Sequence, residues 1–62
     1  MIRIYDYYYT GIENLNGDVI EYRIFKFIRF MHTPTTALSH VMEKLDMEYG
    51  KDNYAITDFK RI

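Results

Sequence analysis

Sixty-two residues make at most one small domain, and a folded chain of about that length buries only roughly 60% of the surface it exposes when unfolded. With no cysteine, 48% hydrophobic and 18% aromatic residues and a formal net charge of −1, the composition excludes a disulfide scaffold, a thiolate metal site and a disordered polymer. It also lacks the basic footprint of a duplex-binding domain and the strong negative charge of a DNA mimic.

From Met1 to Tyr9 there is neither the basic start nor the apolar run of a signal peptide, and no stretch reaches the ~20 apolar residues that cross a bilayer. A cytoplasmic protein without a membrane partner is expected. So short a chain without disulfides commonly gains stability by self-association.

Asn16-Gly17 is the strongest local signal, because it lies between two β-rich runs and suits a two-residue type I′ turn. It predicts a hairpin over 2–31, with strands Ile2 to Ile12 and Val19 to Met31. The register then pairs Tyr9 with Ile24, Tyr7 with Lys26, Tyr5 with Ile28 and Arg3 with Phe30 on one face. The other face pairs Ile12 with Glu21, Tyr8 with Phe25, Asp6 with Phe27, Ile4 with Arg29 and Ile2 with Met31. A bulge near Gly11 would shift this register.

Thr33-Pro34 ends the second strand and opens a helix, Thr33 capping free amides and Pro34 fitting the first helical position. Leu38, Val41, Met42, Leu45 and Tyr49 recur at three- and four-residue spacing, and Gly50 is a C-terminal stop. The helix is therefore placed over 34–49. Tyr54 to Arg61 reads as a third strand, 54–61. The resulting fold class is α+β, in the order β-β-α-β. A right-handed return through the helix gives a three-stranded antiparallel sheet of order 2-1-3, with the helix on one face.

One helix covers one face. The more aliphatic surface, Tyr5, Tyr7, Tyr9, Ile20, Tyr22, Ile24, Ile28 and Phe30, is expected beneath it, leaving Ile2, Ile4, Tyr8, Ile12, Phe25, Phe27 and Met31 open among Asp6, Glu21, Arg23 and Arg29. An 11-residue strand spans about 36 Å and a 16-residue helix about 24 Å, so the hairpin outruns its cover. Each apolar side chain left wet forfeits roughly 1.5–3 kcal/mol of possible burial. The open face therefore calls for a second copy of the chain or a different protein, and a two-fold dimer through the hairpin, with the second strand at an edge, satisfies the need.

The interface candidates are Tyr8, Arg23, Phe25, Phe27, Arg29 and Met31. Rings alternating with guanidinium groups suit protein–protein hot spots. They also suit stacking of unpaired bases, a less favoured use given the neutral charge. Within the run Tyr5, Tyr7, Tyr8 and Tyr9, Tyr8 is singled out because it points to the expected open side. Glu43, Asp46, Glu48 and Asp52 read as an ordinary solvated face, since Lys44 and Lys51 intervene.

His32 and His40 are the two side chains suited to proton transfer near neutral pH, and Ser39 beside His40 makes no catalytic pair because adjacent helical residues diverge. No phosphate loop, metal-ligand spacing or carboxylate pair with a pocket is present, so no catalytic residue, metal or cofactor is assigned.

In its short cysteine-free length, tyrosine-rich first strand, element order and ending Asp58-Phe59-Lys60-Arg61-Ile62, the chain resembles small bacteriophage accessory proteins. Several of these are dimeric inhibitors of a host enzyme or a bacterial defence system, the phage inhibitors of uracil-DNA glycosylase among them. The resemblance implies a non-enzymatic, homodimeric inhibitor that binds a host or defence protein in the host cytoplasm. It carries over no functional residue.

Overall fold

The hairpin turns on Asn14. In the computed structural model, which describes residues 3–62, the Asn14 side-chain oxygen accepts from the N–H groups of Asn16 (2.9 Å) and Asp18 (3.0 Å). Its carbonyl accepts from the N–H of Gly17 at 3.1 Å. Gly17 alone in this loop has positive φ, at 86°, so Leu15, Asn16 and Gly17 form a three-residue loop in place of the expected two-residue I′ turn.

The loop joins β1 (Tyr5–Glu13) to β2 (Val19–Ile28). The expected partners Tyr5↔Ile28, Tyr7↔Lys26, Tyr8↔Phe25, Tyr9↔Ile24 and Ile12↔Glu21 are all observed. They survive the longer loop because the register shifts once, between Ile12 and Glu13, where Val19 and Ile20 together oppose Glu13. One extra loop residue and one bulged residue cancel.

At its far end the hairpin is shorter than predicted. The Arg29 N–H still bonds the Ile4 carbonyl at 2.8 Å, but a turn closed by the Met31 N–H on the Ile28 carbonyl (3.1 Å) then diverts the chain. Phe30 and Met31 therefore leave the sheet and stand 75% and 70% exposed. The expected pairing of Ile2 with Met31 lies outside the described residues.

The helix α1 (Pro34–Tyr49) has the predicted limits. Thr33 and Thr36 cap reciprocally, the Thr33 N–H donating to Thr36 Oγ1 at 2.8 Å and the Thr36 N–H to Thr33 Oγ1 at 3.3 Å. Gly50, at φ 92°, ends it with an N–H bond to the Asp46 carbonyl. β3 (Ala55–Arg61) returns antiparallel to β1, giving the order β2-β1-β3. Its register also shifts, between Gly11 and Ile12, where Ile56 and Thr57 together oppose Ile12. This is where a bulge near Gly11 is realised: on the third strand, leaving the hairpin register intact.

The helix lies on the opposite face of the sheet from the one expected. Ala37, Val41 and Leu45 descend on Tyr8, Thr10, Ile12 and Phe25, all buried, with Phe27, Ile56 and Phe59 at their margin. The third strand explains the reversal. It contributes Ile56 and Phe59 to the helix side and Asp58 and Lys60 to the other, so only one face is apolar on all three strands. The charges on the covered face are also matched, as described below.

Candidate functional site

Tyr8 is 1% exposed and Phe25 9%, so these two interface candidates sit beneath the helix and offer no surface to a partner. Tyr8 stacks on Phe59 with ring centroids 5.0 Å apart and meets Phe27 edge-on at 5.8 Å. Its hydroxyl and that of Thr10 are buried without a hydrogen-bond partner among the described residues. Phe27 is half-buried against the core and His32, the ring centroids 4.9 Å apart.

Arg23 lies at the rim of the same face. It bonds Glu21 and reaches Glu48 of α1 at 2.6 Å, while the Tyr49 hydroxyl donates to Glu21 at 2.9 Å. The guanidinium hydrogen bond holds the Glu48 carboxyl below its ordinary value, and the bond to Glu21 raises the Tyr49 phenol. This network fastens the end of α1 to β2. Asp6, 4% exposed, sits between Arg29 (3.8 Å) and Arg61 (3.9 Å). Arg23 and Arg29 thus neutralise carboxylates within the fold, and Met31 stands apart in the turn after β2. The six candidates do not form one accessible patch.

The accessible patch is on the other side. Tyr5, Tyr7 and Tyr9 of β1 face outward beside Tyr22, Ile24 and Ile28 of β2, and Tyr5, Tyr7, Tyr22, Ile24 and Ile28 are 37–59% exposed. Gly11 keeps this surface flat. A Cβ there would come within 3.0 Å of Thr57 Oγ1 and 3.4 Å of the Tyr22 ring, so the glycine leaves room for Tyr22 to lie across the strand and stack on Tyr9, centroids 5.5 Å apart. The Lys26 amine sits 4.6 Å from the Tyr5 ring centroid and that of Lys60 5.4 Å from Tyr9. Both cations fold onto rings and lay their stems along the apolar surface. The Tyr9 phenol is raised, chiefly by burial.

A groove of about 560 Å³ opens between α1 and β3. Tyr54, just before β3, forms part of its wall and donates its hydroxyl to Asp46 Oδ1 at 2.6 Å, with the Met42 carbonyl oxygen 3.0 Å away. Burial first, and then the bond to Asp46, push this phenol up to about 12.

His32 and His40 are brought together, ring centroids 5.0 Å apart. Among the described residues no group of three or more His, Asp or Glu side chains converges as metal ligands. No helix among them is long and apolar enough to cross a membrane. Sequence reasoning missed the Tyr5–Tyr7–Tyr22–Ile24 surface, although a signal was present: in β3, Asp58 and Lys60 alternate with Ile56 and Phe59 and mark which side stays wet. Neither a protein-family model, nor a curated protein, nor a solved structure matches this chain.

Proposed function

We propose that this chain is a non-enzymatic protein-binding module, a phage-type inhibitor of a host or bacterial-defence protein, that acts as a homodimer joined through its open sheet face. One observation carries the dimer: five large apolar side chains, Tyr5, Tyr7, Tyr22, Ile24 and Ile28, stand 37–59% exposed on a single surface of a 62-residue chain. Monomeric proteins rarely leave a contiguous apolar area above a few hundred Å² in water. A two-fold axis normal to this face would set sheet on sheet at about 10 Å, interdigitating tyrosine and isoleucine rows. The inhibitor role draws on the phage-protein resemblance, and it needs no catalytic group, only surface.

Light scattering after size-exclusion chromatography at micromolar concentration tests the dimer. The expected mass is twice that of the chain, and Ile24→Asp should give a monomer with an unchanged helical circular-dichroism signal. A wild-type protein that elutes at the monomer mass removes this reading.

The rings beside Lys26 and Lys60 favour one alternative, a platform on which unpaired bases of single-stranded nucleic acid stack. The isoleucine row of β2 favours protein over bases. Fluorescence anisotropy with labelled oligonucleotides at low salt separates the two, since tight, salt-sensitive binding would replace the protein-binding reading.

A further inference from the structure

The groove between α1 and β3 differs in character from the tyrosine face. Leu38 and Met42 of the helix form one wall, and Tyr54, Ile56 and Phe59 form the other wall and floor. Its rim carries Asp46 and Asp52 against the single ammonium of Lys51. Asp58, on the other face of β3, has Lys60 3.9 Å away, whereas Asp46, which accepts the Tyr54 hydroxyl, and Asp52 make no ion pair among the described residues.

The groove also runs beside a free strand edge. β3 is the outer strand of the sheet, and the bond from the Ile62 N–H to the Tyr7 carbonyl (2.9 Å) fixes which of its backbone groups are used. Residues alternate in direction along an antiparallel strand. Ile62, Lys60 and Asp58 therefore turn their N–H and C=O toward β1, and Phe59 and Arg61 turn theirs away from the sheet. At the opposite edge the Arg23–Glu48 and Tyr49–Glu21 bonds tie α1 to β2.

We propose that this groove receives an extended, basic segment of a partner protein, which adds as a fourth strand on the Phe59–Arg61 edge of β3. Main-chain bonds to Phe59 and Arg61 supply affinity without regard to sequence. Alternate side chains of the added strand drop onto Phe59, Leu38 and Met42, and a lysine or arginine among them meets Asp46 and Asp52. A second copy of this chain fits less well, since two-fold antiparallel pairing through Phe59 and Arg61 would leave Asp46 and Asp52, beside the start of β3, without a counter-charge. The inference rests on the protein-binding reading but not on the dimer.

A fluorescent octapeptide of alternating valine and lysine, and its counterpart with glutamate for lysine, are the probes, titrated into the full chain and followed by anisotropy and by amide NMR shifts. The lysine peptide should bind at least about tenfold tighter, roughly one well-placed charge contact. Its shifts should centre on Phe59 and Arg61, with those two amides newly protected from exchange. Met42→Lys changes a helix side chain that is 46% exposed, so the fold should persist while lysine-peptide binding falls by about tenfold or more. Asp52→Asn should weaken it less. Equal binding of the two peptides, no binding up to about 1 mM, shifts confined to the Tyr5–Ile24 face, or indifference to Met42→Lys would each overturn the proposal. Mass measured on the same samples separates the two readings: a peptide-binding monomer removes the dimer and keeps the groove, and a dimer blind to the peptide does the reverse.

Discussion

The two faces of the sheet are built from one alternating strand pair, yet they have different fates. On the covered face the apolar groups are interrupted by Asp6, Glu21, Arg23, Arg29 and Arg61, and on the open face by Lys26, Asp58 and Lys60. By hairpin composition alone the open face is the better core. The comparison teaches that a charged residue does not disqualify a face when its counter-charge arrives from elsewhere in the chain. Arg23 is met by Glu48 of the helix and Asp6 by Arg61 of the last strand. Lys26 and Lys60, in contrast, find tyrosine rings, which tolerate a cation while leaving it at the surface.

The largest test of this contrast is at Leu45, fully buried between α1 and the covered face. Leu45→Ala should cost about 2–5 kcal/mol in denaturant unfolding, which is enough to unfold much of so small a domain. Ile24→Asp on the open face should change monomer stability by about 1 kcal/mol or less while abolishing the dimer. Comparable losses of stability in both variants would mean that the two faces are equally structural.

Smaller changes sharpen the picture. The Tyr8 hydroxyl is buried without a partner among the described residues, so Tyr8→Phe should keep the stacking on Phe59 and raise stability by about 1 kcal/mol; a loss of that size would show that the hydroxyl is bonded in solution. At alkaline pH the Tyr54 phenol reports on the groove. Unfolded, it releases its proton near 10, and folded, near about 12. Between these values the unfolded chain gives up the proton first, so the stability that Tyr54 contributes is complete below 10 and declines as pH rises through about 12. Tyr54→Phe should flatten that part of the pH–stability curve, and absorbance titration of tyrosinate should lose its highest-pH component.

Most of the architecture was legible in short stretches. Thr33-Pro34 and Gly50 bound the helix at the residues observed, and the hairpin partners followed from alternation. The turn itself was misread, because Asn14 competes for the backbone: its side-chain oxygen takes two amides and shifts the loop start by one residue. The bulge at Val19–Ile20 then restores the register. Of the interface residues chosen from sequence, Tyr8 and Phe25 became core, while Arg23 and Arg29 were bound to carboxylates.

The amino-acid order by itself determined where the helix begins and ends, the order of the elements and which residues share a face, because capping, turn chemistry and two-residue alternation act over neighbours. Only the tertiary structure decided which face the helix covers. That choice depends on contacts between segments far apart in the chain: Ile56 and Phe59 completing the apolar layer, Glu48 and Arg61 neutralising its charges. The same long-range choice left the tyrosines exposed and opened the groove beside β3.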